Sequence, residues 1–346
     1  MLAACFDRYG PPEVLEWRDV PDPETGPGDV LIDVRACGVN HSDLNSRAGT
    51  SRWTFPLPMV LGCELAGVVA AVGEDVRNVA VGDRVTAYQQ YACGRCERCA
   101  SWRQDLCPEL TVIGTDTWGG YAEYARVPER AVLPLRPQDD LVLAAAAQCA
   151  VSTAWHMTIT LAAIRPDEVV FVPSASGGIA SALVQCAKLA GARVIASVGD
   201  SSKAGAIERL GADEVFSYRD VDVSERLGEL TDGAGVDAVL DTVGGELFEA
   251  HLGALRRDGR LVTCGAHAGE HVTLDIVRLF QHGWRILGFR VATPDEIRTS
   301  LRLALDGLID IPVAATFPME RAADAHEQLA QRRHVGKLVL VREGQK

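Results

Sequence analysis

Glu168-Val-Val-Phe-Val-Pro-Ser-Ala-Ser-Gly-Gly-Ile-Ala180 decides the fold. It opens on a short apolar run, as in a strand buried on both faces of a sheet. A turn of small residues follows, and from Gly178 to Ala190 the apolar spacing is helical, stopping at Gly191. Set against G-x-G-x-x-G, the three key positions are Ala175, Gly177 and Ala180. The middle glycine is the one that lets backbone amides approach a pyrophosphate, and the helix N-terminus behind it supplies free N–H groups. Ala175, Ser176, Gly177, Gly178 and Ile179 are therefore candidate dinucleotide contacts.

Around this turn the texture is strand, helix, strand. Arg193–Val198 reads as the second strand, Ser202–Leu210 as a helix closed by Gly211, and Ala238–Asp241 and Arg260–Cys264 as further strands. That alternation predicts a doubly wound parallel sheet. The second strand ends in Val198-Gly-Asp-Ser-Ser-Lys203, with valine where an NAD enzyme usually carries an acid for the ribose hydroxyls. Ser201 and Lys203 suit a 2′-phosphate, so NADP(H) is favoured over NAD(H), with Asp200 opposing if it points inward. Upstream of about Val132 the chain is different: short strands such as Val30–Ala36 and Leu65–Gly73, turns, and many prolines. The tail predicts helices at 294–307 and 320–331 and a last strand, Lys337-Leu-Val-Leu-Val341.

Cys93-Gly-Arg-Cys96-Glu-Arg-Cys99 followed by Cys107 is C-x2-C-x2-C-x7-C. Four thiolates at this spacing suit one tetrahedral zinc with no open position, hence a structural zinc. An iron–sulfur cluster is the alternative. The other six of ten cysteines are scattered. Clustered cysteines in a reducing compartment indicate metal before disulfides. The first residues, Met1–Arg8, lack a basic, apolar leader pattern, and a cytoplasmic location is expected. The 346 residues carry 34 basic and 47 acidic side chains, a net charge of −13, which argues against nucleic acid or an anionic membrane as partner. No uninterrupted apolar run of about 18 residues occurs.

Taken with Tyr9-Gly-Pro-Pro-Glu-Val-Leu15, Gly38-Val-Asn-His-Ser-Asp43, Leu61–Val69, Val81-Gly-Asp-Arg-Val85 and Gly119-Gly-Tyr-Ala-Glu-Tyr124, the whole chain resembles the medium-chain dehydrogenase/reductase superfamily of zinc alcohol dehydrogenases and quinone oxidoreductases. The resemblance implies an α/β protein: a partly β, GroES-like catalytic domain from residues 1–150 and 291–346, a Rossmann domain over 151–290, and an active site in the cleft. It implies a catalytic zinc held by Cys, His and Cys, but the matching positions here are Asn40, Cys63 and Cys149, with Glu64 retained. Ser42 stands at the proton-relay hydroxyl, and the distal relay His is replaced by Asn45. His41 matches a cofactor-pyrophosphate position and Thr153 a nicotinamide one.

The expected activity is NADPH-dependent hydride transfer to an activated C=C, quinone or carbonyl, a small-molecule substrate, without a standard catalytic zinc. Asn40, Ser42 and Glu64 are the catalytic candidates. The alternatives are a zinc-dependent alcohol or carbonyl dehydrogenase that holds a second zinc through Cys63 and Cys149, and an NADPH-binding protein with little turnover. Trp53, Phe55 and Trp118 are aromatic candidates for the substrate pocket, and His156 reads as a helix-face residue. A homodimer or homotetramer is expected from the resemblance, with the strand near Ile286–Phe289 as a pairing edge.

Overall fold

The computed structural model describes residues 1–51 and 55–342. The chain forms two compact units. One comprises Met1–Cys149, Thr293–Leu305 and Pro312–Lys346; the other Ala150–Ala292 and Asp306–Ile311.

In the first unit the long strand Asp29–Val39 is the organising element. Val30, Ile32, Val34 and Ala36 are fully buried and alternate with the half-buried Leu31, Asp33 and Arg35, the period of two that one core face imposes. Glu64–Val72 pairs antiparallel along one edge and Lys337–Val341 along the other, so the sheet unites the two ends of the chain. The sheet continues outward through Arg84–Ala87 and Val132–Pro134 on one side and Val313–Pro318 on the other, and Tyr124–Pro128 also pairs with Asp29–Val39. A smaller sheet joins Glu16–Asp19, Leu2–Phe6 and Met59–Val60. This is the partly β domain expected from the sequence.

In the second unit six parallel strands lie in the order Glu214–Ser217, Arg193–Val198, Val169–Val172, Val236–Asp241, Leu255–Thr263, Arg285–Gly288. Numbered along the chain this is 3-2-1-4-5-6, the Rossmann order, whose switch point lies between the first and fourth strands. Val170, Phe171 and Val172 are completely buried, as a central parallel strand requires. Two expectations are adjusted. The helix read from Ser202 is a 3-10 turn, Ser201–Lys203, leading into a short helix, Ala204–Arg209. The helix expected to reach Ile164 is α-helical over Leu141–Trp155 and continues as a π-helix over His156–Leu161. That helix is long and apolar enough to cross a membrane by length and composition, but 67% of its apolar window is buried in the protein, as in a core helix. Within its π-turn His156 is buried, its ring edge-on to Phe289.

Candidate functional site

The cysteine lobe is the simplest constellation. Its four sulfur atoms all lie within 4.8 Å of one another, with Cys96–Cys99 at 3.5 Å and Cys93–Cys99 and Cys96–Cys107 at 3.9 Å. A zinc about 2.3 Å from each of four sulfurs requires edges of about 3.8 Å, so the donor set fits a single ion. It is too tight for a multi-iron cluster, whose cysteines ligate different irons. Gly94 turns the chain at φ +78°, a left-handed conformation that a side chain would resist. Backbone N–H groups of Arg95 and Cys96 point at the Cys93 sulfur and bring its thiol down to about 7, while burial pushes the Cys99 thiol up to about 12.

In the second unit the small-residue turn leaves the C-terminal end of Val169–Val172, at the switch point of the sheet. Ala175 is buried, and its N–H donates to the Ser197 carbonyl at 2.8 Å. A Cβ on Gly177 would meet no protein atom within 4 Å. Internal packing therefore does not demand glycine there, whereas close approach of a pyrophosphate does. Ser176, Gly178 and Ile179 are half-buried at the start of the helix Gly178–Leu189. The Asp200 carboxylate accepts the Ser202 N–H at 2.9 Å, capping the 3-10 turn Ser201–Lys203. Lys203 is held below its usual range, chiefly by burial, against the attraction of Asp200 and with repulsion from Arg219. Arg219 is a second cation at this strand end that sequence reading missed. Parallel pairing of Val198 with Ser217 brings the two loops together. Ser201 is exposed beside them, and Thr153 is buried in its helix.

The site implied by the resemblance forms in the first unit, where three neighbouring strands end together. Gly38 is in register with Glu64 and Val39 with Leu338, so Asn40, Glu64 and Lys337 become neighbours. The Lys337 ammonium donates to Glu64 Oε2 at 2.5 Å, Asn40 Oδ1 at 2.7 Å and the Val39 carbonyl at 3.2 Å. Asn40 Nδ2 donates to the same Glu64 oxygen at 2.7 Å and lies 4.0 Å from Cys63 Sγ. Glu64 Oε1 accepts the Cys149 N–H at 2.8 Å. Glu64 is completely buried and Lys337 is 5% exposed. Burial alone would lower the Lys337 pKa, but the Glu64 carboxylate overrides it and the ammonium stays above its usual value. Gly38 makes room for this cluster: a Cβ there would lie 2.5 Å from Glu64 Oε2 and 2.7 Å from the Ala145 carbonyl.

These partners bear on the alternative of a second zinc at Cys63 and Cys149. Asn ligates metal through its oxygen, and Asn40 Oδ1 is held by Lys337. Glu64 already carries a cation. Among the described residues the only grouping of three or more His, Cys, Asp or Glu donors close enough to hold one ion is the four-cysteine lobe. Cys63 and Cys149 with Glu64 do not form another, and the residues present do not fit a catalytic zinc.

The catalytic candidates separate in the same way. Glu64 is a buried partner of Asn40 and Lys337 and is not itself exposed to a substrate. Ser42 is exposed on the helix His41–Ala48, and His41 is half-buried at its start. Asp43, on that helix, accepts the Asn40 backbone N–H at 2.8 Å and the Tyr121 hydroxyl at 3.1 Å, and Tyr121 Oη lies 3.2 Å from His326 Nε2. These groups brace Asn40 from behind. Of the aromatic candidates, Phe55 packs edge-on against Phe6 and Tyr9, and Trp118 donates to the Pro58 carbonyl at 3.1 Å, both packing roles. Trp53 lies outside the described residues.

Fold and site thus define a dinucleotide-dependent oxidoreductase with a structural metal lobe. Residues 26–137 match the family described as "Alcohol dehydrogenase GroES-like domain" and residues 178–306 the one described as "Zinc-binding dehydrogenase". A quinone oxidoreductase of Pseudomonas aeruginosa is 32% identical over 97% of this chain and 98% of its own. A solved NAD-dependent alcohol dehydrogenase is 38% identical, with a TM-score of 0.94, covering 99% of this chain and 100% of that one. Escherichia coli quinone oxidoreductase, solved with NADPH, is 27% identical with a TM-score of 0.84, covering 99% and 100%. The chain belongs to the medium-chain dehydrogenase/reductase superfamily.

Proposed function

We propose that this oxidoreductase is an NADP(H)-dependent reductase of activated C=C, quinone or carbonyl substrates that works without a catalytic zinc. The observation that carries the reading is the Lys337 ammonium seated on Glu64 and Asn40 Oδ1, which takes up the donors a metal would need. The turn Ala175–Ile179 with Lys203 would hold NADP(H), which would supply the hydride for the electrophilic carbon of the acceptor; the acceptor oxygen would gather the charge and take a proton from water. The chain's part is to stabilise that oxygen by a hydrogen bond in a site of low polarity. Asn40 Nδ2 is the donor with a hydrogen to spare: one is given to Glu64, and the other faces only the weak acceptor Cys63 Sγ. The test is oxidation of NADPH by 1,4-benzoquinone, 2-cyclohexenone or a simple aldehyde. Turnover with at least one, lost on replacing Asn40, supports the reading; no turnover beyond the rate without protein refutes it.

The cofactor preference rests on Lys203 and Arg219 at the end of the second strand, with Asp200 turned to capping. Lys203→Ala should weaken NADPH by roughly 10-fold, the worth of one charged hydrogen bond, and leave NADH within about twofold. Titration of both cofactors by fluorescence decides, and equal losses would refute the 2′-phosphate assignment. The competing reading, a zinc-dependent alcohol dehydrogenase, has the nearness of Cys63 to the Asn40 amide and the alcohol dehydrogenase likeness in its favour.

A further inference from the structure

We propose that Lys337 is a positioning residue that fixes the orientation of the Asn40 amide, so that the site presents an N–H donor and selects acceptors bearing an oxygen conjugated to the carbon that is reduced. The proposal rests on the zinc-free reading above and adds a role for a residue at the far end of the chain.

The two ends of the Asn40 amide are distinguished by their partners. On one side stands an ammonium, which only donates; on the other a carboxylate, which only accepts. With Oδ1 at 2.7 Å from Lys337 Nζ and Nδ2 at 2.7 Å from Glu64 Oε2, both contacts are satisfied. Rotating the amide by half a turn would put N–H against ammonium and oxygen against carboxylate, two repulsive contacts in a buried, low-dielectric site. Lys337 cannot itself reach a substrate, since its three donor positions point at Glu64, Asn40 and Val39. Without the lysine, Oδ1 would lose the ammonium it accepts from, and the charge of Glu64 would be buried and unpaired. The lone hydrogen left on Nδ2 is then the polar group offered by the cluster, and it can stabilise only an acceptor atom. A C=C substrate therefore needs a carbonyl conjugated to it, as enones, quinones and enoyl thioesters have.

The experiment is a double-mutant cycle of Lys337→Met with Asn40→Ala, read as kcat and KM with NADPH and 2-cyclohexenone or 1,4-benzoquinone. Lys337→Met is expected to lower kcat about 10-fold or more, since a misdirected donor forfeits part of the roughly 10²-fold such donors supply. KM for NADPH should stay within about twofold, and Lys337→Arg should restore most of the rate. In the Asn40→Ala background, Lys337→Met should cost less than about twofold, because its target is gone. The same fold-loss in both backgrounds would overturn the proposal, as would an unchanged kcat in Lys337→Met. If removing the lysine alone unfolds the chain by stranding Glu64, Glu64→Gln with Lys337→Met removes both charges together, and the cycle is run on that pair with the same expectations. Zinc per chain is measured on each sample. Two zincs in the unaltered protein would defeat the zinc-free reading itself; one zinc with an additive cycle would defeat only the role given to Lys337.

Discussion

Asn40→Ala should lower kcat by about 10²-fold, the usual cost of deleting one donor aimed at a developing oxyanion, with NADPH affinity and zinc content unchanged. The expectation follows from the hydrogen-bond inventory of the cluster. Every other polar group there is spoken for: Glu64 by Lys337, Asn40 and the Cys149 N–H, and Lys337 by three acceptors. Removing the amide leaves no donor for the acceptor oxygen, and water is a poorly oriented substitute. Ser42→Ala is the contrasting case. Its side chain is exposed on the helix His41–Ala48, so kcat should change by less than about twofold. If instead Ser42→Ala costs more than Asn40→Ala, the hydroxyl carries the chemistry and the role given to Asn40 is wrong.

Cys107→Ala should abolish zinc binding and destabilise the protein by at least about 3 kcal/mol, since loss of a structural metal is among the few single changes with effects that large. For a chain of this size that is a fall in melting temperature of roughly 4 °C or more. Cys107 is completely buried, its sulfur 3.9 Å from Cys96 and accepting the Cys93 N–H at 3.4 Å. Three ligands without it would leave an open position and a cavity. The lobe has little apolar packing of its own to replace the ion: Cys93 and Cys96 are half-buried and Arg95, Glu97 and Arg98 are exposed. Cys186→Ala is the control. That thiol is also completely buried, but it lies in the helix Gly178–Leu189 of the other unit and should retain the full zinc content. Thermal unfolding with metal analysis of both variants checks the pair.

What could be read in the sequence tracks how local each feature is. The Rossmann strands announce themselves because parallel strands buried on both faces are continuous apolar runs, as Val169–Val172 and Arg193–Val198 are. Glu214–Ser217 and Val313–Pro318 escaped because they are half-buried and carry neither a clean run nor a clean alternation. The zinc lobe is legible because all four ligands fall within fifteen residues, so spacing alone carries the geometry. Asn40 is legible as a departure from a known pattern and Glu64 as a retained part of it. Lys337 is not, since it lies 297 residues from Asn40 and meets it only through the antiparallel register of the last strand on Asp29–Val39. The one local hint was a lysine at the head of an otherwise apolar strand, in a chain with only four lysines. Arg219 was hidden in the same way, being brought to Lys203 by strand pairing and not by proximity in sequence.

Those long-range contacts carry the zinc-free proposal. From the sequence alone, Cys63, Cys149 and Glu64 remained a serviceable set of zinc ligands. With Lys337 in place, the carboxylate has its cation and the asparagine has its oxygen occupied. A pair of opposite charges buried this deeply contributes little net stability but fixes geometry, and here the geometry fixed is that of the one remaining donor.

The central proposal, that the Asn40–Glu64–Lys337 cluster works without a catalytic zinc, is tested most directly by counting zinc per chain. Elemental analysis of the purified protein and of the Cys63→Ala, Cys149→Ala double variant should return one zinc in each, all of it in the four-cysteine lobe. Two zincs in the unaltered protein, falling to one in the double variant, would contradict it.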